Sequence, residues 1–135
     1  MKKFILILSL CAAVTTLLPA QEAKTPEQRE KEMYEAIQAQ VDKLTELLEL
    51  EGWQTFYVDS ILTHDYNALQ VELAAMSASK VSNSDLFYDA QDKWMEQIYQ
   101  SLHKVFNEEQ WNKYLKSGAQ RDKKARDKRA AKKNK

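Results

Sequence analysis

The segment TPEQREKEMYEAIQAQVDKLTELLELEGWQ, residues 25–54, contains one helix start, one apolar helix face and the start of a second helix. Thr25 suits an N-cap, Pro26 suits the first helical position, and Gln28 completes a capping box. Large apolar residues then recur with the spacing of a single helix face. These residues are Tyr34, Ile37, Val41, Leu44 and Leu48. The segment therefore predicts an amphipathic helix, and Gly52 marks either a joint to the next helix or a bend inside one long helix.

The same periodicity predicts a second helix from about Trp53 to Ala78. Its apolar face consists of Val58, Leu62, Tyr66, Leu69, Leu73 and Met76. Residues 77–84 are short and mostly polar, so they predict the main turn of the chain. Either Ser82 together with Asp85, or Ser84 alone, can cap the next helix.

A third and a fourth helix complete the pattern. The third has a face made of Phe87, Gln91, Trp94, Ile98, Leu102 and Val105. Asn107 suits the N-cap of the fourth helix, and Glu108 and Glu109 fall in its first turn, where the helix dipole favours negative charge. Trp111, Tyr114 and Leu115 give this helix an apolar side.

Composition agrees with a helical fold. The chain of 135 residues contains only two glycines and two prolines, whereas sheets and phosphate-binding loops depend on glycine turns. We therefore predict an all-α protein of about four long helices. Its apolar faces exceed what one small chain can bury, so we expect them to be buried in a homodimer or left for partners.

The N-terminus has the organisation of a secretory signal peptide, which we assign to residues 1–20. Lys2 and Lys3 precede an apolar run over residues 4–14, and Pro19 and Ala20 end the segment. A membrane-spanning helix is the alternative, but spanning needs about 20 mostly apolar residues. Cys11 lies inside the apolar run, so removal of the signal leaves no cysteine for a disulfide. We expect a protein that is periplasmic or otherwise exported, soluble after cleavage.

Charge divides the mature chain into a helical domain, residues 21–117, and a basic tail, residues 118–135. The tail has nine Lys or Arg against two Asp, a net charge of +7. The domain has nine basic and 18 acidic residues, a net charge of −9. The tail either extends the last helix or is disordered. Outside the cytoplasm, its expected partner is an anionic membrane, an envelope surface or an acidic protein surface rather than nucleic acid. The alternatives are that it folds against the acidic body of a dimer mate or is a solubilising terminus.

Two pentads share a spacing at predicted helix starts: Leu50 to Gln54 and Phe106 to Gln110. In each, a large apolar residue precedes the cap and a glutamine can reach back to free backbone N–H groups. The spacing resembles the LTxxQ motif of the spheroplast-protein and CpxP-type family of periplasmic chaperones. Neither copy keeps the Leu-Thr pair: Glu51 replaces Thr in the first, and the second has Phe106 and Asn107, of which Asn preserves the capping chemistry.

The resemblance implies an elongated antiparallel hairpin arrangement of the helices and a homodimer. It also implies an exported, ATP-independent chaperone that holds unfolded or aggregation-prone envelope proteins in the cradle of this dimer. The alternative it implies is a helical adaptor that restrains an envelope-stress sensor. The motif positions Leu50, Gln54, Phe106, Asn107 and Gln110 then have structural roles at helix starts. Client contact would use the surplus aromatic residues, although aromatic residues at helical spacing are usually core. The candidates are Trp53, Phe56, Tyr57, Phe87, Tyr88, Trp94, Tyr99, Trp111 and Tyr114.

Residues for catalysis or metal binding are sparse. His64 and His103 are the only histidines and fall on different predicted helices. His64-Asp65 could suggest a metal site, but we expect neighbouring helical side chains to point apart and the histidine to face solvent or to be hydrogen-bonded. Asp89 with Asp92 is expected to be a solvated acidic pair. No nucleophile–base spacing, phosphate loop or cofactor motif occurs, so we expect no catalytic residue, no metal and no cofactor.

Overall fold

A computed structural model describes residues 23–134, and this part of the chain is helical with short connections. The helices are α1 Pro26–Leu48, α2 Gly52–Ala78, α3 Ser84–Val105, α4 Glu108–Tyr114 and α5 Gln120–Lys133. The segment Leu115–Ala119 forms a wide π-type turn between the last two. The all-α prediction is therefore confirmed. The predicted signal peptide, with Cys11, lies outside the described residues.

The three long helices run antiparallel in sequence order. Thr45 contacts Thr55 near the α1–α2 joint, and Tyr34 accepts a hydrogen bond from Asn67 at the far end. Between α2 and α3, Gln54 reaches Val105 at one end and Trp94 reaches Glu72 towards the other. At about 1.5 Å per residue, the 27-residue α2 is about 40 Å long, so the arrangement is extended along the helix axes.

One apolar core lies where α1, α2 and α3 meet, and α4 closes its end. Its buried members are Ile37, Val41, Leu44, Leu48, Val58, Leu62, Ile98, Leu102 and Phe106. Trp111 and Tyr114 of α4 pack against this core and are partly buried. Among the described helices, none is long and apolar enough to cross a membrane.

The caps follow the sequence predictions except at α3. Thr25 caps α1, with Gln28 in a complete capping box, as predicted. The predicted caps of α3, Ser82 or Ser84, are wrong: Asn83 is the N-cap and accepts a hydrogen bond from the backbone N–H of Asp85 at 2.9 Å. The Asn83 side chain caps the helix in the same way as serine, because both place a hydrogen-bond acceptor on a short side chain near a free backbone N–H.

The joint between α1 and α2 is formed by Glu49 rather than by Gly52. Glu49 is left-handed, with φ 51° and ψ 50°, and its backbone N–H donates to Thr45. Gly52 already belongs to the first turn of α2. The chain therefore changes direction at Glu49, three residues before Gly52, where the sequence predicts a joint or a bend.

Gly118 makes the kink between α4 and α5. Its φ of 127° lies in a region that L-residues rarely adopt. The kink turns α5 back along α3, where Arg126 bonds Glu96 and Arg129 bonds Asp92. The basic tail is therefore a docked helix over Gln120–Lys133, with no buried residue of its own.

We expect Gly118→Ala to lower the free energy of unfolding by about 1–2 kcal/mol, because the added Cβ strains this backbone conformation. Urea unfolding followed by circular dichroism measures the change. Gly52→Ala is the matched control: its Cβ meets no atom within 4 Å, and helical geometry favours alanine, so stability should stay equal or rise slightly. Equal effects at the two glycines would contradict the assignment of the kink.

Candidate functional site: a glutamine pair beside an exposed aromatic patch

Gln54 and Gln110 form a reciprocal amide pair in the core. Gln54 Nε2 donates to Gln110 Oε1 at 2.7 Å, and Gln110 Nε2 donates to Gln54 Oε1 at 3.1 Å. Both side chains are buried, with 4% and 8% of their surface exposed. The two predicted helix-start glutamines are thus brought into direct contact from positions 56 residues apart.

Each glutamine also satisfies the start of its own helix. Gln54 Oε1 accepts the backbone N–H of Glu51 at 3.0 Å, and Gln110 Oε1 accepts that of Asn107 at 3.0 Å. Asn107 completes the second box, because its side chain accepts the backbone N–H of Gln110 at 2.9 Å. Glu51 behaves differently from the threonine of the motif, since its carboxylate accepts the indole N–H of Trp53.

Each glutamine finally donates to the end of a different helix. Gln54 Nε2 donates to the carbonyl of Val105, the last residue of α3, at 3.1 Å. Gln110 Nε2 donates to the carbonyl of Leu48, the last residue of α1, at 3.3 Å. The pair therefore joins two helix starts and two helix ends, and each amide uses both donors and both acceptor positions.

The apolar residues of the pentads cover the core side of this network. Phe106 is buried in the core, and its ring lies 5.6 Å from that of Tyr114. Leu50 is partly buried against the same core. On its outer side the pair borders an open pocket lined by charged residues, but only 4% and 8% of the two glutamines is exposed, so solvent reaches few of these bonds.

The aromatic patch, defined as Trp53, Phe56 and Tyr57, lies on the outer side of the first turns of α2. The exposed fractions are 53%, 67% and 52% respectively. The ring of Tyr57 makes edge contacts with both others, at centroid distances of 6.2 and 5.9 Å. Three aromatic side chains thus form one continuous apolar surface that no described residue covers.

The other candidate aromatic residues are divided between surface and packing. Tyr88 is exposed, at 57%. Tyr99 and Trp111 contact each other at 4.8 Å, and Trp111 also stacks on His103. Trp94 donates its indole N–H to Glu72 at 2.7 Å. Trp94, Tyr99 and Trp111 join helices to one another, so they are left out of the candidate binding surface.

Burial and hydrogen bonding shift a few ionisable groups. Burial raises the pKa of Tyr114 to about 12, so its hydroxyl stays neutral beneath α5. Hydrogen bonds donated by Lys93 and Trp94 lower the pKa of Glu72 below its ordinary value. Both groups support packing between helices, and neither faces a pocket with a nucleophile.

A second open surface is a cleft of about 1090 Å³ between the first half of α1 and the second half of α2. Its apolar wall includes Met33, Ile37, Tyr66, Val71 and Leu73. Val71 is 71% exposed, so the wall continues onto the surface of α2. The cleft is open along its length, which suits an extended segment better than a small ligand.

His64 is exposed and hydrogen-bonded, as predicted, but its partner is the neighbouring Asp65. The side chains do not point apart: His64 Nδ1 lies 2.8 Å from Asp65 Oδ1. Asp65 is buried and also accepts a hydrogen bond from Gln97 of α3 at 3.0 Å. Within residues 23–134, no cluster of His, Cys, Asp or Glu has the composition of a metal site. Asp65 therefore links α2 to α3.

The predicted solvated acidic pair, Asp89 with Asp92, is also wrong. Arg129 donates to both oxygens of Asp92 at 2.7 Å, and Lys133 pairs with Asp89. Sequence reasoning missed this pairing because the partners lie about 40 residues apart and belong to segments of opposite net charge. The opposite net charges of the tail and the domain were the available signal, but they do not specify which residues pair.

Comparison with protein-family models, with curated proteins and with solved structures gives no match for this chain.

We expect Gln54→Leu and Gln110→Leu each to lower the free energy of unfolding by about 2–3 kcal/mol, because each leaves the partner amide buried without its bonds. The double variant should lose less than the sum, with a coupling of about 1–2 kcal/mol. Urea unfolding of the four proteins measures this coupling.

Gln28→Leu is the control for the capping role alone. Gln28 makes the same bond to its N-cap, Thr25, at 2.9 Å, but it is exposed and bonds no second helix. Its loss should cost about 0.5 kcal/mol, as for a surface cap. A double variant that loses the full sum would show that the two amides act independently.

Proposed function

We propose that the chain is an exported, non-enzymatic protein that binds unfolded or aggregation-prone envelope proteins without ATP. The aromatic patch carries this proposal. A folded protein rarely leaves three touching aromatic rings more than half exposed, and such patches usually mark surfaces that bind other proteins. Aromatic rings are also effective contacts, because they bury much apolar area and lose little conformational entropy.

The surroundings of the patch suit transient binding. Three glutamates and Lys113 line a pocket of about 450 Å³ next to Trp53. Lys113 pairs with two of them, Glu49 and Glu109, so the rim keeps a net negative charge. Apolar contacts with an acidic rim favour unfolded segments that combine aromatic and basic residues. The cleft between α1 and α2 offers a second apolar wall for a long segment. Homodimer formation, expected from the apolar surplus, belongs to the same proposal.

The resemblance to the LTxxQ family supports the proposal through the glutamines. The two pentads differ from the motif at Glu51, Phe106 and Asn107, yet their glutamines occupy equivalent helix starts. A fixed frame of this kind suits an ATP-independent binder, because a rigid surface does not need energy to be reset between clients.

The protein should suppress aggregation of a chemically unfolded model protein at near-stoichiometric ratio without ATP, as measured by light scattering. Trp53→Ser/Phe56→Ser/Tyr57→Ser should require at least about tenfold more protein for the same effect, since an aromatic contact contributes about 1 kcal/mol or more. Leu86→Ser, which removes an isolated exposed apolar residue of α3, should act like the wild type. An inactive wild-type protein at equimolar ratio would contradict the proposal.

An envelope adaptor that binds an anionic surface, or a membrane-bound stress sensor, is the second candidate. Lys124, Lys128 and Lys132 are exposed and form one row on the side of α5 away from α3. Among the described residues, none of these three lysines is in an ion pair. This row is an accessible part of the basic tail, to which Arg121, 84% exposed, also belongs.

Lys124→Gln/Lys128→Gln/Lys132→Gln should abolish salt-sensitive sedimentation with vesicles of anionic lipid, because each lysine near such a surface contributes about 1 kcal/mol. Arg126→Gln/Arg129→Gln is a comparison at the docked side of α5 and should retain vesicle binding. Wild-type protein that stays in the supernatant at low salt would exclude this candidate.

A further inference from the structure

The acidic face of α3, defined as Asp89, Asp92 and Glu96, is paired residue by residue with α5. Arg129 bonds both oxygens of Asp92, Arg126 bonds Glu96 at 3.3 Å, and Lys133 pairs with Asp89. Lys123 adds a second pair to Glu96 at 3.4 Å. The two helices therefore run antiparallel, and a row of carboxylates on α3 faces a row of Lys and Arg side chains on α5.

The aromatic ring of Tyr99 on α3 adds a further contact with the cations of α5. Lys123 Nζ and the Arg126 guanidinium lie 5.9 and 5.6 Å from the centroid of the Tyr99 ring. Partial burial opposes ionisation of Glu96, but a hydrogen bond from Gln100 and the charges of Lys123 and Arg126 lower the pKa of Glu96 below its ordinary value. Glu96 therefore stays ionised at neutral pH beside the cations of α5.

The apolar component of the attachment of α5 is small and consists of the Lys123 and Arg126 side chains over the Tyr99 ring. None of its residues is buried, and a crevice of about 500 Å³ remains between the two helices. Ion pairs at a surface contribute about 0–1 kcal/mol each and weaken with salt. Gly118 provides a joint at which α5 can move without unfolding α4. The helix is thus held mainly by charge and by its covalent tether.

We propose that the acidic face of α3 is a docking site for basic helical segments of other polypeptides, and that α5 is its tethered, displaceable occupant. The fitting partner carries Arg or Lys at the spacing of Lys123, Arg126, Arg129 and Lys133. The tether gives α5 a high effective concentration, so a partner binds well only when it outcompetes α5 or when α5 is released. This site is separate from the aromatic patch and does not depend on the proposed chaperone function.

The probe is a fluorescent synthetic peptide with the sequence of residues 119–134, AQRDKKARDKRAAKKN. Its anisotropy is measured with the full chain as wild type and as Arg126→Gln/Arg129→Gln, which releases α5. Release should increase the affinity for the peptide at least about tenfold, because the tethered competitor is lost. Raising the salt from about 0.05 to about 0.5 M should abolish binding, since screening shortens to a few ångströms.

Two controls separate docking from net charge. Lys124→Gln/Lys128→Gln removes as many charges from the outer side of α5, and its affinity for the peptide should equal that of the wild type. Adding Asp92→Asn/Glu96→Gln to the released variant should abolish binding. Equal peptide affinity for the wild type and the released variant would overturn the proposal, and so would equal effects of the inner and outer substitutions.

A second measurement does not depend on the stability of any variant. Unlabelled peptide in excess is added to ¹⁵N-labelled wild-type protein at low salt, and the backbone amide signals of residues 120–133 are followed. If the peptide displaces α5, these signals should shift to the positions that they also take at high salt without peptide. The signals of α1 should stay unchanged. Signals of α5 that stay unmoved at saturating peptide would overturn the proposal.

Discussion

The reciprocal bond between the Gln54 and Gln110 amides is the constraint on which the rest of the structure depends. A primary amide has two donors and two acceptor positions, and here every one of them has a partner inside the protein. A helix start leaves backbone N–H groups free, and a helix end leaves carbonyls free. The pair satisfies groups of both kinds from four helices at one buried point.

The exposure of the aromatic patch follows from this constraint. Gln54 faces inward together with Val58 and Leu62, which are fully buried. On a helix of 3.6 residues per turn, Phe56 then lies almost opposite Gln54, and Trp53 and Tyr57 lie to one side. The glutamine fixes the rotation of α2, and the patch cannot turn into the core without breaking the amide pair. The amide pair between Gln54 and Gln110 therefore keeps the aromatic patch exposed.

Local rules predicted much of the fold. The apolar stripe of α1 identified its buried residues Ile37, Val41, Leu44 and Leu48, and the capping box at Thr25 fixed its start. The turn at Glu49 was not predictable, because a left-handed glutamate has no sequence signal comparable to glycine. The pairing of α5 with α3 and the contact between the two glutamines depend on residues far apart in sequence. Periodicity describes one helix at a time, so it cannot specify which faces meet.

Hydrogen exchange of the side-chain amide protons of Gln54 and Gln110, observed by NMR, tests the central claim most directly. If the two amides are buried and mutually bonded, their protons exchange only when the whole protein unfolds, and both show the same protection as backbone amides in the middle of α2. The exposed side-chain amide of Gln28 supplies the unprotected reference. Gln54 and Gln110 side-chain protons that exchange as fast as those of Gln28 would contradict the account.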